Sequence, residues 1–141
     1  MPFLEEKDKD TIRDIFKELT NPVKLINFTQ ELECQFCKET REIMEKVSAL
    51  SDKISLEVYN FQLDKEKVAQ FRVDKIPATA VLGSRDYGLR IYGIPSGYEF
   101  ASFLETLVFV SKGESDLSQK TKDKMKTLTK PLHLQVFVTP T

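Results

Sequence analysis

Between residues 23 and 61 the spacing of apolar side chains changes twice, and that change restricts the possible folds more than any other feature of the chain. The run VKLINF (23–28) is short and almost continuously apolar, the mark of a buried strand. From about Cys34 to Leu50 the apolar residues Ile43, Met44, Val47 and Leu50 recur at helical spacing. The stretch KISLEVYNF (53–61) then alternates Ile54, Leu56 and Val58 with polar neighbours, as in a strand with one wetter face. Two strands joined by a helix of this length pair in parallel, because the helix carries the chain back to the end where the first strand began. An α/β fold follows.

The remaining pattern extends this unit. KDKDTIRDIFKEL (7–19) places Ile12, Ile15, Phe16 and Leu19 on one helical face and is broken by LTNP. DKEKVAQFRV (64–73) predicts a short helix burying Val68 and Phe71. Pro77 introduces a strand through Val81 and Leu82, and the turn GSRDYG leads into LRIYG as a hairpin. SGYEFASFLETLVFVS (96–111) predicts a closing helix carrying Phe100, Phe103, Leu104, Leu107 and Val108. The expected architecture is a mixed sheet, part parallel and part antiparallel, with helices on both faces. KGESD (112–116) reads as a linker, and residues 117–141 as a helix and a strand too short to form a domain.

Forty per cent hydrophobic residues, ten of them phenylalanine, suffice for a core in 141 residues without disulfide staples. The 21 basic and 22 acidic side chains are interspersed, which argues against non-specific binding to nucleic acid. The acidic start MPFLEEKDKD lacks the basic and apolar regions of a signal peptide, and no apolar run is long enough to span a membrane. The expected location is the cytoplasm, where a Cys-x-x-Cys pair is more often catalytic or metal-binding than a permanent staple.

Cys34 and Cys37 are the only cysteines. A structural zinc site needs about four ligands; with no third cysteine and His133 the only histidine, nearly a hundred residues away, the sequence argues against such a site within one chain, while two chains sharing a metal stay open. Two buried thiols are a second reading. A third is a redox dithiol: the pair follows a strand, is flanked by Glu33, Gln35 and Lys38, and is expected to open a helix whose positive end favours thiolate. A second cysteine one turn further in can resolve a mixed disulfide. His133 reads as an outward residue on a partial strand.

CQFC after the first strand, with IPAT before the third, resembles the thioredoxin fold, a three-layer sandwich with a mixed sheet. The resemblance implies a cis Ile76–Pro77 bond beside the cysteines, with Ile76 and Pro77 pairing an extended substrate. Two departures matter. Gln35 and Phe36 replace the Gly-Pro of thioredoxin, and Asn27 stands where thioredoxin has a buried acid. Glu33 and Glu57 are candidates for that acid's proton-accepting role, each with the plainer reading of an exposed carboxylate.

LTNPVKLINF (19–28) recurs as LTKPLHLQVF (128–137), in the same helix–turn–strand setting. The chain therefore divides into residues 1–111, a thioredoxin-like unit, and 112–141, a linker with the first helix and strand of a second unit. NPVKLI, CQFC, IPAT, YGIPSGYEFASFLE and VFVTPT together resemble the N-terminal part of the two-unit protein disulfide oxidoreductases of thermophilic microbes, also called glutaredoxin-like proteins. That resemblance implies a protein-disulfide oxidoreductase with Cys34 attacking, Cys37 resolving, and no cofactor beyond the redox disulfide. It also implies protein disulfides as substrates and a thioredoxin-reductase-like flavoprotein as electron donor. The alternative is a non-catalytic peptide-binding or interaction module on the same scaffold. The N-terminal domain of the alkyl hydroperoxide reductase flavoprotein has tandem units too, but its first unit characteristically lacks the cysteine pair. The resemblance puts the second unit's attacking cysteine directly after Thr141; the two expectations there are an ordinary boundary or a UGA codon for selenocysteine. The apolar alternation Leu132, Leu134, Val136 and Val138 is expected to pair with the first unit's sheet edge or to drive a homodimer.

Overall fold

Periodicity in the first twenty residues becomes helix α1 (Glu6–Phe16), shorter at its C-terminus than its apolar stripe suggests. The computed structural model describes residues 4–139. Strand β1 (Val23–Thr29), helix α2 (Cys37–Ser48), strand β2 (Ile54–Asn60) and helix α3 (Lys65–Gln70) follow. Strands β3 (Ala78–Leu82) and β4 (Leu89–Tyr92), helix α4 (Tyr98–Lys112) and helix α5 (Gln119–Met125) complete the order.

The sheet runs β2-β1-β3-β4. β1 pairs in parallel with β2, and antiparallel with β3, which pairs antiparallel with β4. The mixed sheet expected from the apolar spacing is present. Because side chains alternate across a strand, β1 serves two layers. Val23 and Leu25 pack with Ile43, Met44 and Val47 of α2 and with residues of α1 and α4. Ile26 and Phe28 pack on the other side with Phe71 and Val73, beyond α3. Phe28, Leu25, Ile26, Ile43, Met44 and Leu107 are fully buried, each worth roughly 1.5–3 kcal/mol relative to exposure.

Two contacts fix the ends of this sandwich. Gly83, just past β3, lets α4 approach closely: a Cβ there would lie 2.8 Å from the Val110 carbonyl oxygen. Ser111, near the end of α4, binds the turn between α1 and β1. Its Oγ accepts N–H bonds from Thr20 (2.8 Å) and Asn21 (3.0 Å) and donates to the Asn21 carbonyl (2.7 Å).

Two expectations are corrected. The second helix starts at Cys37, three residues later than Cys34, because Gln35 and Phe36 form a turn and Phe36 has a non-helical backbone (φ −115°, ψ 12°). The strand expected at 132–138 does not form: residues 128–139 carry no helix or strand and add to no sheet edge. Leu132, Leu134, Val136 and Val138 are exposed there, and apolar alternation alone makes no strand without a ladder partner. Pro140 and Thr141 lie outside the described residues. Among the described residues, no helix is long and apolar enough to cross a membrane.

Candidate functional site

The site grows from the C-terminal end of β1. After Thr29 the chain loops through residues 30–36, with Gln30 Nε2 donating to the Leu32 carbonyl and Glu33 in the left-handed region (φ 57°). Those turns deliver Cys34 to the front of α2. Cys37 occupies the first helical position and is joined to Cys34 by a disulfide, with Cα atoms 5.5 Å apart. The two sulfurs differ in surroundings: Cys34 is half-buried, whereas Cys37 is 1 % exposed. One turn into α2, the Thr40 hydroxyl donates to the Phe36 carbonyl at 2.7 Å, fastening the helix start.

Pro77 arrives at the same end of the sheet from the neighbouring strand. Phe28 is the register partner of Ala78, so the residue before Ala78 lies level with the end of β1, where the cysteine loop departs. The Ile76–Pro77 bond is cis. Pro77 is buried and its carbonyl accepts the Gly93 N–H at 2.8 Å. Ile76 is half-buried against the α3-side cluster, and β3 begins only at Ala78.

Asn27 is completely buried, and by strand parity it faces the α2 layer. Its Nδ2 donates to the Ala78 carbonyl (3.2 Å) and to Thr79 Oγ1 (3.3 Å), while its Oδ1 has no hydrogen-bond partner. Neither acid considered from sequence lies buried beside Asn27. Glu33 is exposed in the loop. Glu57 is the register partner of Ile26 and so lies on the α3 face, away from the cysteines. There it accepts bonds from the Tyr59 hydroxyl (2.7 Å) and Lys24 (3.1 Å), which hold its carboxyl below the usual range.

A cleft of about 560 Å³ opens on Cys34 from the β2 side, lined also by Gln30, Lys38, Arg41, Tyr59 and Asp64. Arg41 is paired with Glu45 (2.8 Å). Two large apolar side chains on either side of Cys34 in the sequence are exposed, Leu32 at 74 % and Phe36 at 45 %.

Two features escape a reading by residue type. Glu39, in the first turn of α2, has its Oε2 buried without a hydrogen-bond partner. The exposure of Leu32 and Phe36 depends on where the loop turns, which periodicity does not reveal. His133 is exposed in the C-terminal segment. Among the described residues, no group of three or more His, Cys, Asp or Glu side chains could hold a metal ion.

No protein-family model and no curated protein matches the sequence. Solved structures do. The chain superposes on a protein disulfide oxidoreductase from Aeropyrum pernix k1 with a TM-score of 0.80 and 28 % identity, over 88 % of this chain and 55 % of that one. The NTD_N/C domain of alkylhydroperoxide reductase AhpF from Enterococcus faecalis gives 0.75 and 23 % identity, over 90 % of this chain and 62 % of that one. A thioredoxin from Halobacterium salinarum gives 0.53 and 14 % identity, over 77 % of this chain and 86 % of that one. The last two likenesses concern the fold alone. This chain spans little more than half the length of the first two structures. The fold is thioredoxin-like and carries a Cys-x-x-Cys disulfide at the head of its second helix, an arrangement suited to thiol–disulfide redox chemistry.

Proposed function

We propose that the protein exchanges electrons with protein disulfides through Cys34 and Cys37. One observation carries the reading: a half-buried cysteine is disulfide-bonded to a buried one at a helix start, on a thioredoxin-like scaffold. In the reduced protein, the Cys34 thiolate attacks a substrate disulfide, forming a mixed disulfide and releasing one substrate sulfur as thiolate. Cys37 then loses its proton and attacks Cys34 Sγ; the Cys34–Cys37 disulfide closes and the second substrate sulfur leaves. Two electrons pass from the protein dithiol to the substrate, whose two sulfurs take up two protons.

The unequal burial supports this division of roles, since incoming disulfides meet Cys34 first. Exposed Leu32 and Phe36 support a polypeptide partner over a small polar disulfide. Ile76 and Pro77, at the same end of the sheet, are the proposed contact for its main chain. The electron donor under this reading is a thioredoxin-reductase-like flavoprotein, and the compartment is the cytoplasm. Exposed Leu132, Leu134, Val136 and Val138 support pairing between two copies, which sedimentation of a Leu134→Lys, Val136→Lys variant tests.

Insulin reduction by dithiothreitol decides the activity. Wild type is expected to accelerate it and Cys34→Ser to abolish the acceleration. Equal rates with and without wild-type protein would leave the scaffold as a non-catalytic interaction module.

A further inference from the structure

A buried acceptor without a donor is uncommon in folded proteins and usually has a reason. Asn27 Oδ1 is such an atom. Its own amide nitrogen is committed to β3, through the Ala78 carbonyl and the Thr79 hydroxyl. Leu25, two residues earlier on the same face, packs with Ile43, Met44 and Val47, so the carboxamide occupies the layer between the sheet and α2. Cys37 is buried at the start of that helix, on its core side with Thr40 and Met44. The Thr40 hydroxyl is already spent on the Phe36 carbonyl.

In the disulfide form Cys37 Sγ has no hydrogen to give. Reduction supplies one. A dithiol reductant delivers two electrons and two protons, leaves as its own disulfide, and converts the Cys34–Cys37 bond into two thiols. Cys34 opens on the cleft and so on solvent, whereas Cys37 is buried.

We propose that Asn27 Oδ1 accepts the Cys37 thiol hydrogen in the reduced protein, so that Asn27 stabilises the dithiol over the disulfide and raises the reduction potential. The inference rests on Cys34 and Cys37 being the redox pair. Asn27 acts as a positioning residue: an amide shares the proton with sulfur and cannot remove it, so Cys37 is held as a thiol until the mixed disulfide forms.

The test is a redox equilibrium read by thiol alkylation, with wild type, Asn27→Val and Thr79→Val in dithiothreitol buffers. Asn27→Val is expected to shift the equilibrium about tenfold toward the disulfide, roughly 30 mV more negative. Thr79→Val removes a partner of the same side chain but leaves Oδ1 in place, and its equilibrium is expected to stay within about twofold of wild type. An unchanged equilibrium in a folded Asn27→Val, or an equal shift in Thr79→Val, overturns the proposal. Should Asn27→Val fail to fold, the infrared S–H stretch of the reduced wild type decides. A Cys37 band at lowered frequency supports the bond, and one at the frequency of a thiol without an acceptor overturns it. Insulin reduction run alongside separates the two readings. An inactive wild type defeats the proposed function while the equilibrium stays readable; an active wild type with no Asn27 effect defeats this inference alone.

Discussion

Ser111 and Asn21 hold each other from both sides. The Ser111 hydroxyl accepts the Asn21 N–H and donates to the Asn21 carbonyl, while Asn21 Nδ2 donates to the Ser111 carbonyl at 2.9 Å. This pair ties the last turn of α4 to the entry of β1, the strand that leads to the cysteines. Ser111→Ala leaves the Thr20 and Asn21 N–H groups without their acceptor in a part-buried site. The expected loss is about 2 kcal/mol in urea unfolding, within the usual range for unsatisfied buried groups. A change below about 0.5 kcal/mol, the level of an ordinary surface substitution, would show that water replaces the hydroxyl.

Exposure alone predicts the order of thiol reactivity. Cys34 is half-buried and opens on a cleft; Cys37 is 1 % exposed. Limiting maleimide added to the reduced protein, followed by peptide mass mapping, is expected to label Cys34 several-fold faster. Faster labelling of Cys37 would reverse the proposed roles.

Leu32 and Phe36 flank Cys34 in water. The double change Leu32→Ser, Phe36→Ser is expected to lower kcat/KM for insulin roughly fivefold, about 1 kcal/mol of lost apolar contact, with little effect on hydroxyethyl disulfide. A parallel loss on both substrates would place the two side chains in maintaining the loop, with no part in docking.

Asp86 and Arg90 form a two-pronged pair, with Arg90 nitrogens 2.9 and 2.7 Å from the Asp86 oxygens. Arg90 Nε also donates to the Phe71 carbonyl, linking β4 to the end of α3. Hydrogen bonding to Arg90 is the largest of the effects that hold the Asp86 carboxyl below its ordinary pKa. A carboxylate with a lower pKa folded than unfolded adds stability that is complete above the unfolded value, about 4. That contribution fades as pH falls through the folded value. Wild type is therefore expected to exceed Asp86→Asn by a steady margin at pH 5–7, narrowing below about pH 4. Unfolding both proteins across that range measures it; a margin independent of pH would mean that the pair's charge contributes nothing.

The cysteine pair, the strand–helix–strand order and the proline ahead of β3 were legible because each is a local pattern. Apolar spacing reports a strand or helix wherever neighbours bury the apolar face, as with Leu25 and Ile43. It misleads where burial is lacking, and so the alternation from Leu132 to Val138 yields no strand. Apolar spacing puts the start of α2 at Cys34, too early, because spacing ignores the turn through Gln35 and Phe36. Asn27 was visible as a departure from the thioredoxin pattern, but its state was not. Its partners Ala78 and Thr79 are brought to it only by the register of β1 against β3. The buried oxygen of Glu39 likewise depends on packing around α2, which no neighbouring residue announces.

β1 is an interior strand, bonded along its length to β2 on one side and to β3 on the other. Amides in such a strand exchange with solvent chiefly when the whole domain opens, whereas surface loops open with far less free energy. The cysteine loop is therefore mounted on a fixed post. The two ladders behind residues 30–36 keep Asn27 and the end of β3 in register.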